Sequence, residues 1–213
     1  MTELLLIRHG QATHNVAGRW EGWSEVPLTP DGQRQAEALA RRLAKWLPPV
    51  DQIYTSPLPR AWQTAQAIAR ALKLSPVPSE GLREINFGQV GGHTMDTFRE
   101  SMPEGYARWQ NRADMAFQFP GGEQRQAFFR RVARALDEIV EQHSGEQVAL
   151  VAHGGTLRAG LAHLFPETMR DWWSYTLDNA SLTHVRVEHG AKALLALNDC
   201  QHYYNPKCFH RCS

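Results

Sequence analysis

Apolar residues gather into short unbroken runs at Leu4–Ile7 and Val148–Ala152. Runs without polar alternation predict strands buried on both faces, as in a parallel sheet. The first stops abruptly at Arg8-His9-Gly10 and the second at His153-Gly154-Gly155-Thr156, with a helix through Leu164 after it. Between them the spacing turns helical. Thr29 is placed to cap a helix, Pro30 suits its first position, and Asp31 suits the positive end of its dipole. Ala36, Leu39, Ala40 and Leu43 give it one apolar face, and Pro48-Pro49 stops it. Gln52–Thr55 reads as a second strand. Ser56-Pro57 reads as the cap of a helix that buries Ala61, Ala65, Ile68 and Leu72, and a short strand is predicted near Val77. From about 86 to 122 the pattern is irregular, with two Gly-Gly pairs and several aromatic residues, as in an inserted cap or lid. Phe128–Val140 is amphipathic at helical spacing, and Leu182–Val187 with Ala193–Leu197 predicts a late strand pair.

Strands alternating with helices predict an α/β fold of three layers, α/β/α. Its central sheet is mostly parallel, with the cap over the carboxyl ends of the strands. Residues 1–199 then form one domain with the insertion at about 86–122, and residues 200–213 form a tail containing Cys and His. Ligands of such sheets bind beyond the carboxyl ends of the strands. Three candidate groups fall at that edge: Arg8-His9 after the first strand, Arg60 in the helical turn after the second, and His153 after the fourth.

Composition changes this picture little. The 213 residues are 42% hydrophobic and 21% charged with net charge +1, so no overall field recommends nucleic acid or a membrane surface, and any anion site must be local. MTELLLIRHG has no basic segment ahead of its apolar run and no small-residue cleavage site, and no apolar stretch approaches a membrane span. The three cysteines all follow residue 199, which argues against a disulfide framework for the main body. A cytoplasmic monomer or homodimer is the expectation.

Two histidines and two arginines at one sheet edge suit phosphoryl transfer, which needs an in-line nucleophile and positive charge around three equatorial oxygens. Neutral imidazole is a competent nucleophile near pH 7 when one ring nitrogen is free and the other is held as a donor. Arg8 and Arg60 match phosphate geometry, and His153 adds a donor. The leaving alkoxide needs a proton, for which Glu84 is the candidate.

Five ordered motifs resemble those of the histidine phosphatase (phosphoglycerate mutase-like) superfamily. They are Leu6-Ile7-Arg8-His9-Gly10 with Asn15; Pro27-Leu28-Thr29 with Gly32 and Gln35-Ala36; Ile53–Leu58 with Arg60-Ala61 and Gln63-Thr64-Ala65; Leu82-Arg83-Glu84 with Phe87-Gly88; and Val151–Gly155. The resemblance implies that His9 becomes a phosphohistidine, with Arg8, Asn15, Arg60, His153 and Gly154 around the phosphate. It implies Glu84 as proton donor and then base, His153 as a catalytic partner, and neither metal nor cofactor. The chain departs from the pattern at Gln11, at Val90-Gly91-Gly92 and at Glu21, where a glutamine is frequent; Glu21, Gly22 and Trp23 are assigned to the substrate pocket.

A mutase must hold its intermediate against water, and the mutase branch carries a long basic insertion with a proline triplet that this chain lacks. Pro120-Gly121-Gly122-Glu123 looks like the phosphatase branch, so hydrolysis of a small phosphorylated metabolite is the expectation. A phosphoglycerate mutase and a non-catalytic protein of the same fold are the alternatives. In the tail, Cys200, His202, Cys208, His210 and Cys212 leave a soft-metal site open beside a frayed terminus.

Overall fold

The apolar runs do become the centre of the molecule. In the computed structural model, which describes residues 1–168 and 171–203, six strands form one sheet in the order β3-β2-β4-β1-β5-β6. The strands are β1 (Thr2–Arg8), β2 (Gln52–Thr55), β3 (Pro76–Pro78), β4 (Gln147–Ala152), β5 (Leu182–Glu188) and β6 (Ala191–Asp199). Pairings among β1 to β4 are parallel, whereas β5 joins β1 antiparallel and β6 joins β5 antiparallel. The sheet is therefore mixed, with its parallel part where the chain alternates strand and helix, and its antiparallel edge where β5 leads into β6 without an intervening helix.

Side chains alternate across the pleat, so each buried strand feeds both faces. Leu5, Ile7, Ile53, Ala149 and Val151 pack on helices α2 (Pro30–Leu43) and α3 (Pro59–Leu72) through Leu39, Leu43, Ala61, Ala65 and Ile68. Leu4, Leu6, Val148, Leu150 and Ala152 pack on α6 (Arg125–Gln142) and α7 (Gly154–Leu164) through Phe128, Val132, Leu136, Leu157 and Leu161. These are the three predicted layers. No described helix is long and apolar enough to cross a membrane.

Local chemistry explains the element ends, with some corrections. Thr29 caps α2 as predicted, its hydroxyl accepting from the Gly32 N–H at 3.0 Å. Ser56-Pro57 does not cap α3; Leu58 holds that position with Pro59 inside the first turn. Ser56 is free to bond elsewhere, and its hydroxyl meets the His153 ring. The irregular stretch contains α4 (Met95–Ser101) and α5 (Pro103–Gln110), short helices packed through Phe98 and Trp109. A four-residue helix, α1 (Thr13–Val16), follows the loop after β1.

Parallel register does the decisive positioning. Arg8 pairs with Ala152, so the residues that leave the two strands next, His9 and His153, emerge side by side with ring centroids 5.1 Å apart. The His9 loop is then clamped onto the first turn of α2. A Cβ on Gly10 would lie 2.5 Å from the Gly32 carbonyl oxygen, and one on Gly32 would lie 2.0 Å from the Gln11 carbonyl oxygen. Only glycine allows this approach at either position.

Replacing Gly32 by alanine sets two effects against each other. Helix propensity favours alanine by about 1 kcal/mol, but the clash is with backbone and no side-chain rotation relieves it. Net destabilisation of about 1–3 kcal/mol is expected from the forced backbone shift, read from the urea midpoint at unchanged slope.

Candidate active site

His9 follows β1 and is 1% exposed. Its N–H donates to the Ala152 carbonyl at 3.0 Å, and its carbonyl accepts from the Ala180 N–H and the Asn179 side-chain amide. The ring is fixed by Nδ1, 2.7 Å from the Gly10 carbonyl. A carbonyl only accepts, so Nδ1 carries the proton and Nε2 of the neutral ring presents a lone pair. Burial pushes the His9 ring below the ordinary histidine value against the pull of Glu21, with Arg60 and Arg8 adding to the fall. The ring is thus neutral near pH 7, with the Nε2 lone pair uncommitted, as a nucleophilic imidazole requires.

Around it stand buried donors. Arg60, fully buried, donates through its two terminal nitrogens to the Ser24 carbonyl at 2.9 Å and the Gly22 carbonyl at 2.7 Å. Its Nε lies 3.1 Å from a Glu21 oxygen without a hydrogen-bonding alignment. Arg8 donates one terminal nitrogen to the Leu177 carbonyl, and its Nε has no partner. His153 meets the Ser56 hydroxyl through Nε2 at 2.7 Å, while Nδ1 is buried and unpartnered. Three nitrogens, on Arg8, Arg60 and His153, are therefore buried without a hydrogen bond, that of Arg60 facing only the Glu21 charge. Buried polar atoms are rarely left so, and orphans of this kind mark a place for a ligand. Asn15 accepts on its oxygen from the Ala12 N–H and from Asn179, which leaves its own amide N–H groups for the cavity it lines.

Glu84 approaches from the segment before the insertion. One carboxyl oxygen accepts from the Gly155 N–H and the other from its neighbour Ile85, both at 2.9 Å. The Gly155 contact needs glycine, since a Cβ there would lie 2.4 Å from the carboxyl oxygen. Trp23 donates its indole N–H to the Glu84 carbonyl at 2.7 Å and carries Arg83 over its ring. It props Glu84 from outside and does not line the cavity where the sequence reading had placed it. Glu123 is held by both faces of Arg131 and the Asn86 N–H, away from the reacting centre.

Arg8, His9, Asn15, Glu21 and Glu84 line one cavity of about 260 Å³, with Gly22, Gly154 and an aromatic wall of Trp20, Phe87, Trp109, Phe119, Trp172 and Trp173; His153 and Arg60 stand behind that lining, the first against the His9 ring and the second against Glu21. Phe87, Trp109 and Phe119 come from the insertion, so that segment closes one side of the site. Arg19 and Arg158 line it too and carried no motif signal. Arg158 donates Nε to the Tyr175 carbonyl and lies over Trp173, so its fork faces the cavity edge. Asn179 was likewise missed, and Thr64, which stands in the third motif, accepts the Gly10 N–H, a contact the motif did not assign; each is remote in sequence from the loop it holds.

The possible metal cluster in the tail is only partly within the described residues. Cys208, His210 and Cys212 lie outside them, and no group of three metal-ligating side chains occurs among the rest. His202 instead sits 3.3 Å from Arg42, which also binds Asp199, and burial with that arginine lowers its ring to about 4.

Comparison with known proteins points the same way. A sequence model of the histidine phosphatase superfamily (branch 1) matches residues 4–200. Phosphoserine phosphatase 1 of Hydrogenobacter thermophilus is 32% identical over 198 residues, covering 93% of this chain and 92% of that one. The metal-independent phosphoserine phosphatase of Arabidopsis thaliana is 39% identical over 164 residues, covering 75% and 67%. A crystal structure of a phosphoserine phosphatase mutant from Entamoeba histolytica in complex with phosphoserine superposes with a TM-score of 0.84 at 29% identity, over 96% of this chain and 100% of that one.

Burial also gives the site a pH signature in stability. Burial, then Arg60, His9 and Arg8, hold the His153 ring well below its ordinary value of 6.5. Below pH 6.5 the unfolded chain takes a proton there that the folded chain refuses, so stability falls as pH drops from 6.5 towards the folded value. Replacing His153 by asparagine should flatten that part of the curve by up to one proton, about 1.4 kcal/mol per pH unit. Urea titrations at stepped pH measure it.

Proposed function

The chain belongs to branch 1 of the histidine phosphatase superfamily, and from that membership we propose that it hydrolyses a small phosphoserine-like monoester through a phosphohistidine on His9. The observation that carries this reading is the set of unpartnered buried nitrogens on Arg8, Arg60 and His153 beside a histidine whose Nδ1 is tied to a carbonyl.

Nε2 of His9 attacks phosphorus while the ester P–O bond breaks. Arg8, Arg60, His153 and the Asn15 amide take the equatorial oxygens, where guanidinium supplies the charge that a metal supplies in other phosphatases. Glu84 gives the departing alkoxide its proton. It then removes one from water, which attacks phospho-His9; the P–N bond breaks and orthophosphate leaves. In the resting site both Glu84 oxygens accept N–H bonds, so the residue is already held for the second step. The insertion at about 86–122 acts as the cap that dries the site. Arg19 and Arg158 at the cavity edge suit a carboxylate on the substrate, as phosphoserine has, although a phosphoglycerate has one as well.

Replacing His9 by alanine should abolish turnover, and rapid quench with labelled substrate should trap an acid-labile, base-stable adduct on the intact protein. Substantial turnover in the variant would remove His9 from the mechanism. Activity should survive excess chelator, and rescue by Mg²⁺ or Zn²⁺ after chelation would contradict the guanidinium clamp.

Glu84→Gln should cost about 10²–10⁴-fold with an alkyl ester, whose alkoxide needs the acid. The p-nitrophenyl ester leaves unaided, so with it the variant should show a fast burst followed by slow turnover. Equal loss in the burst for both esters would mean that Glu84 is not the acid.

A further inference from the structure

One group in the cradle is of the wrong sign. Glu21 is 8% exposed, with one oxygen 3.4 Å from the nucleophilic Nε2 of His9 and 3.1 Å from Arg60 Nε; its other oxygen is buried and bonds nothing among the described residues. Nε2 is a bare acceptor in the tautomer fixed by Gly10, so two acceptors face each other where a phosphoryl oxygen must enter. A carboxylate beside phosphate oxygens is repulsive unless a proton lies between them, and an unmet buried acceptor adds its own cost.

We infer that Glu21 makes this cradle selective for a phosphoryl group bearing a proton: the P–O–H donates to the Glu21 carboxylate while the remaining oxygens face Arg8, Arg60 and His153. The inference rests on the phosphatase reading and refines it, since the ester taken is then the monoanion. The proton balance closes. As the N–P bond forms and the ester P–O bond breaks, the alkoxide takes its proton from Glu84, and the P–O–H proton stays between phospho-His9 and Glu21.

The surroundings agree. Glu21 is faced by Arg8 and His9 from the end of β1 and by Arg60 from α3; His153, at the start of α7, Glu84 and Glu25 act on the same groups. Burial alone would raise the Glu21 carboxyl; the His9 ring pulls it down only when that ring carries a proton, whereas Arg60 and Arg8 pull it down in either state. Near neutral pH it is an ionised acceptor with a neutral histidine beside it, so the proton has to come in with the ligand or from solvent. A phosphate ester has its second pKa at about 6 and can bring one. Sulfate, of the same shape and charge, has none to bring.

Calorimetry of inorganic phosphate and sulfate binding to the full chain and to Glu21→Gln separates these cases. At about pH 8 the wild-type protein should bind sulfate about 10–100-fold more weakly than phosphate, the range set by an unsatisfied buried acceptor. In Glu21→Gln the amide N–H can donate to a bare oxygen, so the preference should shrink to within about threefold. Glu21→Ser, which removes the carboxylate without adding an amide, should also lose the preference, and thermal melts show whether each variant is folded. If phosphate and sulfate bind the wild-type protein equally well at that pH, the inference fails and the phosphatase reading stands. If phosphate does not bind the wild-type protein at all, both fail.

Discussion

Two guanidinium groups withdrawn from water at one edge of a sheet set the terms for everything around them. Arg8 and Arg60 cannot shed their charge, so the fold must surround them with acceptors. It does so with main-chain carbonyls of Gly22, Ser24 and Leu177, which neutralise nothing but satisfy the terminal nitrogens. The Arg8 Nε stays without a hydrogen bond, and the Arg60 Nε meets only the Glu21 carboxylate. The chain thus holds the terminal nitrogens of its cations with the backbone.

The same economy explains how rigid the nucleophile is. His9 is bound through its N–H, its carbonyl and one ring nitrogen, each to a different part of the chain. Its loop is closed against α2 by a pair of glycines. Only Nε2 is uncommitted. Catalysis by positioning depends on such restraint, because a displacement of about 1 Å can cost about 10²-fold in rate.

Much of this was legible in the sequence, and the reasons are physical. Leu4–Ile7 and Val148–Ala152 are apolar at every position, which only a strand covered on both faces requires, and they do pair in parallel. His9, Arg60 and His153 were placed at one edge because all three leave elements pointing the same way. What escaped is of two kinds. Asn179 and Arg158 act across long sequence separations without a local pattern, so no window of residues could connect them with His9. Residues 95–110 form helices with little apolar periodicity, because they bury mainly Phe98 and Trp109 in an aromatic cluster and leave the rest to solvent. Trp23 misled for a related reason: its neighbours Glu21 and Gly22 line the cavity, while its own ring turns outward to hold the Glu84 carbonyl.

The aromatic wall has an optical consequence. Four of the seven tryptophans, Trp20, Trp109, Trp172 and Trp173, line the one cavity, and Trp20, Trp109 and Trp173 are in ring contact in series. Indoles that close exchange excitation and respond together to a charge placed beside any one of them. An anion arriving next to Arg8 and Arg60 changes the field across most of the molecule's fluorophores at once. Occupancy of the site is therefore written into the protein's own emission, and filling and emptying can be followed in real time without a label.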